Sequence, residues 1–523
     1  MPHGRGRRTA RIASRALAGE ITRAVRDRRG RPGGCSPEDV RLHRARTLRR
    51  TLEHLGPLYI KVGQILATRP DFVPEYIREE LACLNDRADV EPFSHFEPVL
   101  EQELGSDWRT LFSEIHTEQP LGAASLAQVY KAVNAQGVPC AVKIQRPGAA
   151  DAVLGDMTVT RTVTRVISKA FPHFSEVVDI AAMLEVLFTV MRDELDFTRE
   201  ARNMRDGRKI ARDFKRICIP KPLLATPRVL VQTFAEGVPI NELKEGFLSE
   251  KQRKRLAYEL IEFMFRSYFT ERFFHADPHP GNIIISPQGK AHIIDWGMVG
   301  RIDRDTSTAV LGAFLAMARN DGTALAKQWV NLGTATPWSN VSAFTRDVSR
   351  VVPRWTDSSL EELNFGVALM TLLRYSSHRG IQITPLTSVA GKSVTNIEGS
   401  VRSLYPRLKL STAVRRGLKD IMRDLVLETF SGEQAAQVGL HLLSLLTQGP
   451  AHLQAVITDM SDRQFAVQSR TNVGDPIGPG ARQRAGARYG PMTLGTTWVA
   501  TQLAQRARAR LAAADKARRR PEK

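Results

Sequence analysis

Cysteine is scarce in this chain, and none of it is spaced for chemistry. Cys35, Cys83, Cys140 and Cys218 stand far apart with no C-x-x-C pair. That argues against a zinc site or a disulfide framework and suits a reducing compartment. Long apolar runs are missing as well. No stretch approaches the length of a membrane span, and the apolar segment Met492 to Leu503 is too short and too polar to serve as one. No secretory apolar region follows the N-terminus. Acidic residues are outnumbered, 55 against 75 Lys and Arg, for a net charge of +20. The deficit is local. Residues 1–50 hold fifteen Arg against four acids, and residues 501–523 hold eight Lys or Arg against two, so these ends carry 17 of the 20 charges. The middle is nearly balanced and carries no recognition motif, which sets aside a DNA-binding protein and any nucleic-acid partner. Basic ends of this kind meet anionic surfaces or are simply solvated. The run Thr9 to Leu17 also has the Arg-rich, acid-poor composition of a transit peptide.

What is present is a core for two or three domains in 523 residues. Residues 1–40 read as a basic flexible tail closed by Gly30-Arg31-Pro32-Gly33-Gly34. From about Glu38 to Phe93 the pattern is helical, with Leu48, Leu52, Leu55, Tyr59, Val62 and Leu66 at three- and four-residue steps. Pro57 suits the start of a helix that carries Lys61 and Gln64 on one face. Periodicity alone leaves those two residues on a solvated surface. Leu121 to Ile144 reads as a β-hairpin turning at Asn134-Ala135-Gln136-Gly137. It opens on Gly122-Ala123-Ala124-Ser125 and ends on Ala141-Val142-Lys143. A lysine inside so apolar a strand is either paired at a buried position or a snorkelling edge residue. Ala152 to Ile167 and Val177 to Arg205 read as helices, the second holding Glu194, Asp196 and Glu200. Arg228 to Phe234 is a strand running into Glu236-Gly237, and Leu256 to Phe273 is an apolar helix. Thr306 to about Met460 reads as mostly helical, residues 461–490 as a linker, and the end as a basic tail.

The stretch Phe274 to Gly297 carries the chemistry. His275-Ala276-Asp277 is followed by Asn282, then by the apolar runs Ile283 to Ile285 and Ala291 to Ile294, and is closed by Asp295-Trp296-Gly297. Phosphoryl transfer needs one carboxylate near the attacking hydroxyl, and an amide oxygen with a second carboxylate to hold Mg²⁺ against the phosphates. Protein kinases place these groups in H-R-D-x-x-x-x-N and D-F-G. By itself Asp277 to Asn282 fits ordinary turn chemistry. The ordered set, joined by two strands, points to a kinase-like Mg-nucleotide site. A kinase has a phosphate loop where Gly122 to Ser125 stands, a strand lysine where Lys143 stands, and a helix glutamate where Glu200 stands.

Together these motifs resemble the UbiB/AarF/ADCK family of atypical protein-kinase-like proteins. Lys61-Val62-Gly63-Gln64 matches K-x-G-Q, Gly122 to Ser125 the Ala-rich loop, and Glu194-Leu195-Asp196 the motif E-x-D. Val394 to Gly399 resembles a further family segment. The match runs in order from about residue 50 to 300, and the helical stretch to about 410 fits too. Departures are Gly122 where the family usually has Ala, Trp296 for Phe, and Gln232-Thr233 for Met-Glu.

The resemblance implies an α+β, bilobal protein-kinase-like fold: a small mixed β N-lobe, a helical C-lobe and an N-terminal helical extension over the cleft. The expected divisions are 41–118 for the extension, 119–238 for the N-lobe, 239–460 for the C-lobe, and 461–523 for linker and basic tail. The implied cofactors are ATP and Mg²⁺. Lys143 would contact the phosphates and pair with Glu200, with Gly122, Ala123, Ala124 and Ser125 as the nucleotide loop. Asp277 would be the catalytic-loop aspartate, and Asn282 and Asp295 the metal ligands. Lys61 and Gln64 would face Glu194 and Asp196 across the cleft as a regulatory contact. The implied activity is that of an atypical kinase or ATPase in quinone or prenyl-lipid metabolism. The expected partners are nucleotide, an anionic membrane surface or prenyl lipid, and quinone-biosynthesis proteins. The expected location is cytoplasmic and peripheral to a membrane. The other readings are a nucleotide- and lipid-binding pseudokinase-like scaffold and a small-molecule phosphotransferase. The latter class would lack K-x-G-Q and E-x-D.

Overall fold

The computed structural model describes residues 37–67, 73–84, 89–170, 180–335, 339–356, 365–408 and 421. Residues 1–36, the segment Thr68 to Asp71, the 461–490 linker and the basic C-terminal end lie outside the described residues.

Three helices come first: α1 (Pro37–Leu55), α2 (Pro57–Ala67) and α3 (Glu75–Ala82). Pro57 stands at the first position of α2, where its missing N–H costs nothing and its fixed φ favours the helix. Leu52, Ile60, Leu81 and Leu84 close one apolar core within this bundle.

A small lobe follows. Helix α4 (Glu97–Leu104) leads to β1 (Phe112–Ile115), β2 (Gly122–Ala123), β3 (Ala127–Asn134) and β4 (Pro139–Gln145). Helices α5 (Ala149–Ala170), α6 (Ile180–Glu194) and α7 (Phe197–Ala211) intervene before β5 (Ile217–Cys218), β6 (Pro222–Ala225) and β7 (Val229–Thr233). The sheet runs β1-β3-β4-β7-β6 with β2 beside β3, and every pairing is antiparallel. The predicted hairpin is present, and β1, an edge strand the sequence pattern did not suggest, adds to it. Val142 and Ile144 join Tyr130, Val229 and Val231 under Phe96 and Trp108. Successive strand residues alternate faces, so Lys143 points to the opposite side, into the cleft. Helix α2 is held from two directions, because its Leu58 packs into a second core with Val153, Met157, Leu184, Phe188 and Met191 from α5 and α6.

The expected single helix from Val177 to Arg205 is two. It breaks at Leu195-Asp196, where Asp196 adopts an extended backbone and caps α7 by accepting from the Thr198 N–H at 3.0 Å. A short acidic side chain satisfies an orphan helix-start N–H better than it serves mid-helix.

The larger lobe begins at β8 (Val238–Pro239). Gly237 joins the lobes at φ 143°, and a Cβ there would lie 2.1 Å from the Ile285 carbonyl oxygen, so only glycine fits. Helix α8 (Glu250–Phe269) starts on a Ser249/Gln252 capping box and ends before the Phe273 expected from sequence. Then come β9 (Phe273–His275), β10 (Ile283–Ile285), β11 (Ala291–Ile293) and β12 (Val299–Arg301). Strands β5, β11, β10 and β8 form one small sheet, and β9 pairs with β12 in another. The remaining described residues are mostly helical, in α9 (Arg304–Ala318), α10 (Gly322–Asn331), α11 (Val341–Thr356), α12 (Phe365–His378) and α13 (Pro385–Leu404), and the expected helical stretch from 409 to Met460 lies outside them apart from Ile421. A two-stranded ribbon of β13 (Gly333–Ala335) and β14 (Ile381–Ile383) interrupts this helical expectation. Among the described residues no helix is long and apolar enough to cross a membrane.

Candidate active site

The cleft between the lobes collects charged side chains from three places in the chain. Lys143 enters from β4 with its Nζ 2.8 Å from Glu200 Oε2 and 3.1 Å from Asp295 Oδ1. Glu200 comes from the first turn of α7 and is buried. Asp295 follows β11 and is half-exposed to the cleft. One ammonium is therefore shared by two carboxylates. Burial alone would lower the Lys143 ammonium, but Asp295 and Glu200 hold it well above the usual lysine range. Lys143 beside Asp295 keeps that carboxyl well below the ordinary range, with smaller help from His275 and Lys61. Glu200 is pushed up to about 7, because burial and the Asp295 charge outweigh the attraction of Lys143.

The turn at Asp295 is built from α7. Glu200, Asn203 and Gly207 fall on one face of that helix. Glu200 reaches Lys143, Asn203 Nδ2 donates to the Trp296 carbonyl at 3.0 Å, and Gly207 leaves room for the Trp296 ring. A Cβ at Gly207 would lie 2.6 Å from Trp296 Cη2, so the tryptophan found in place of phenylalanine is matched by a glycine on the facing helix. The indole also donates to the Ile293 carbonyl at 3.0 Å. Asp295 itself has φ 58°, a left-handed backbone that Asp tolerates better than most residues.

The catalytic-type loop is equally ordered. His275 is buried, accepts from the Asp277 N–H through Nδ1 at 3.1 Å, and so donates from Nε2 to the Ile294 carbonyl at 3.1 Å. Burial holds its pKa below the ordinary histidine value, and the neutral ring ties the loop to β11. Asn282 Nδ2 donates to the Asp277 carbonyl at 3.2 Å, and the Ile294 N–H donates to the Asn282 carbonyl at 2.9 Å. Asn282 and Asp295 are thus neighbours at the open end of the antiparallel β10–β11 pair. An amide oxygen and one half-exposed carboxylate are hard oxygen donors suited to Mg²⁺, which takes one or two protein ligands and completes its shell with phosphate and water. Among the described residues no cluster of three or more His, Cys, Asp or Glu forms an all-protein metal cage. The donor set therefore fits a metal that arrives with a nucleotide.

The Asp277 carboxylate meets two residues that the reading of single motifs did not single out. Asn396 Nδ2 donates to Oδ1 at 2.6 Å, and Lys392 Nζ lies 3.1 Å from Oδ2. Both come from α13, more than a hundred positions downstream. The signal available in sequence was the family-like segment Val394 to Gly399, but nothing in its periodicity says which face meets the loop.

The lid contact is half as expected. Lys61 Nζ lies 3.2 Å from Glu194 Oε1, each side chain only 12% exposed. Lys61 is also close enough to help depress Asp295. Gln64 and Asp196 are not brought together. Gln64 Nε2 donates to the Leu84 carbonyl at 3.2 Å, while Asp196 is occupied in capping α7. The loop Gly122 to Ser125 is a tight hairpin, with Gly122 and Ala123 paired to β3 and the Ala124 N–H donating to the Ala127 carbonyl at 2.8 Å. Arg146, unflagged in the sequence, fixes it: its Nε donates to the Ala124 carbonyl at 2.8 Å and its Nη2 to the Asp89 carbonyl at 2.7 Å.

A β-sheet lobe bearing a lysine paired to a helix glutamate, above a lobe bearing H-x-D-x-x-x-x-N and D-W-G, defines an atypical kinase-like protein. Sequence comparisons with known proteins agree. The ABC1 atypical kinase-like domain matches residues 83–329. A probable protein kinase UbiB of Pseudomonas putida is 31% identical over 87% of this chain and 82% of its own length. An uncharacterised aarF domain-containing protein kinase of Arabidopsis thaliana, chloroplastic, is 33% identical over 70% of this chain, which spans about half, 52%, of that relative. Among solved structures, the Rv3197–erythromycin complex from Mycobacterium tuberculosis is similar at 25% identity and a TM-score of 0.48, over 68% of this chain and 90% of that one. The chain belongs to the UbiB family of atypical kinase-like proteins.

Proposed function

We propose that this protein is an ATP- and Mg²⁺-dependent kinase or ATPase that works at a membrane surface in quinone or other prenyl-lipid metabolism. The observation that carries the catalytic part is the placement of Lys143 between Glu200 and Asp295. Mg-ATP supplies the electrophilic phosphoryl group and the metal charge that offsets its oxygens. The chain's own residues would do the rest. Lys143, steadied by Glu200, binds phosphate oxygens. Asn282 and Asp295 hold the metal. Asp277 orients the attacking hydroxyl or water and takes its proton. Gly122 to Ser125 would cover the phosphates with a loop stiffened by Ala123 and Ala124, whose Cβ atoms resist φ > 0.

Two features favour a small or lipid acceptor over a protein. Helix α2 is pinned near the cleft by Lys61 and Glu194. After Gly297 the chain passes through β12 directly into α9 at Arg304, so no long segment follows the D-W-G turn to seat a peptide. The quinone and membrane parts rest on the family resemblance and on the basic ends.

The test is nucleotide turnover by purified protein with and without anionic liposomes, beside Asp295→Asn. Asn tolerates the left-handed backbone at this position, so the variant should fold. The expected result is liposome-stimulated, Mg²⁺-dependent turnover, and a Mg-ATP thermal shift that is lost in the variant. An unchanged shift in Asp295→Asn would remove this reading.

A further inference from the structure

Phosphoryl transfer places negative charge on the oxygens of the migrating group, beside the carboxylate that takes the acceptor's proton. A cation is needed there, and the loop 275–282 does not provide one. Ala276, Pro278, Pro280 and Gly281 have no charge to offer, and His279 turns Nδ1 back to accept from the Gly281 N–H at 3.0 Å. Lys143, the other phosphate-binding cation, is held by Glu200 and Asp295 and not by Asp277.

Lys392 fills the gap. Its ammonium is 3.1 Å from Asp277 Oδ2, and its side chain is 30% exposed, so the pair is open to an incoming ligand without the lysine being free in solvent. The helix that carries it is bolted to the loop on both sides of Asp277. The Ser393 hydroxyl donates to the His275 carbonyl at 2.6 Å, and the Ser400 hydroxyl donates to the Pro278 carbonyl at 3.2 Å. Asn396, one turn from Lys392, holds the other oxygen of Asp277. From the far side, the Tyr268 hydroxyl donates to the Ala390 carbonyl at 3.0 Å. Ser393, Ser400 and Tyr268 are all buried. A charge on so constrained a helix is placed before the reaction begins, which is the condition under which electrostatic stabilisation is most effective.

We propose that Lys392 is a catalytic residue that binds the terminal phosphoryl group of the nucleotide. The proposal rests on the phosphoryl-transfer reading above. Lys392 is the counter-ion of Asp277. With nucleotide bound it donates a hydrogen bond to an oxygen of the terminal phosphoryl group while staying within reach of Asp277. In the transfer step the acceptor oxygen forms a bond to phosphorus and the bond from phosphorus to the bridging oxygen breaks. The electron pair of that bond leaves with the nucleoside diphosphate. The acceptor's proton goes to Asp277, and Lys392 keeps its own.

The test compares full-length wild type with Lys392→Gln and Lys392→Arg. It measures affinity for Mg-ADP, affinity for a non-hydrolysable Mg-ATP analogue, and steady-state turnover. Lys392→Gln should weaken the triphosphate analogue by about tenfold and leave ADP within about twofold, while kcat falls by about a hundredfold or more, as for loss of one preorganised charge-stabilising donor. Lys392→Arg should recover part of both losses. Should Lys392→Gln not fold, Lys392→Met serves in its place. Equal weakening of ADP and the triphosphate analogue would show a merely structural role and overturn the proposal, as would wild-type kcat in Lys392→Gln. If wild type binds neither nucleotide, or Asp295→Asn binds both as wild type does, the underlying reading falls and Lys392 with it.

Discussion

The Lys143 ammonium serves two carboxylates, and this sharing makes the residues non-additive. Lys143→Ala leaves Glu200 buried beside an unbalanced Asp295, and Glu200→Gln leaves Lys143 with Asp295 alone. Loss of one partner of a buried pair costs about 3–5 kcal/mol, and residues in one such network couple by about 0.5–3 kcal/mol. A double-mutant cycle on urea stability should show coupling in that range. Strict additivity would mean the pair does not act as one. A second residue-scale prediction concerns pH. His275 is buried neutral with its folded pKa below the ordinary 6.5, so it contributes stability that is present above 6.5 and declines as pH falls below it. Glu200 acts in the opposite sense. Its folded pKa of about 7 lies above the ordinary 4.5, so its contribution is full below 4.5 and is lost as pH rises through 7. In His275→Gln the first contribution disappears and the second remains. The urea midpoint of that variant should fall from pH 5 to pH 7 more steeply than that of wild type. Parallel profiles would show that His275 titrates alike in the folded and unfolded chain.

At the scale of elements, two contacts support the proposal that α2 is a built-in lid. Its Leu58 is buried among α5 and α6, and Lys61 reaches Glu194 at the last residue of α6. A shielded charge-assisted contact of this kind contributes roughly 1.5–3 kcal/mol. Lys61→Ala should loosen α2, raise autophosphorylation and expose residues 41–118 to limited proteolysis. Charge reversal at Glu194 should act in the same direction. Gln64→Ala should do less, because its amide holds the Leu84 carbonyl within the helical bundle instead of reaching across the cleft. Wild-type autophosphorylation together with wild-type protection in Lys61→Ala would end the lid idea.

For the whole molecule, charge is separated from catalysis. The cleft keeps its cations paired with carboxylates, while 17 of the 20 net charges lie in the two ends. If those ends bring the protein to an anionic membrane, removing residues 1–40 and 491–523 should weaken its binding to phosphatidylserine vesicles. Raised salt should do the same to the intact chain. Each basic residue near such a surface contributes about 1 kcal/mol, screened over a Debye length. Vesicle sedimentation that ignores both truncation and salt would point instead to apolar insertion.

The sequence by itself determined what local pattern can encode. The run Val138 to Ile144 read as a strand, and the apolar residues around Lys143 marked that lysine as unusual. The order of Asp277, Asn282 and Asp295 around two short apolar runs marked a kinase-like site, and Pro57 marked the start of α2. Tertiary structure decided what depends on partners distant in the chain. Asp196 became a cap because the backbone turns there, and Gln64 was drawn to Leu84 because α3 packs closer to it than α7 does. Periodicity could give α13 a helix but not a rotation about its axis. That rotation depends on buried hydrogen bonds from Ser393 and Ser400 to a loop more than a hundred residues earlier. Those bonds set Lys392 beside Asp277, because a side-chain oxygen buried against a carbonyl cannot be left unpaired without cost.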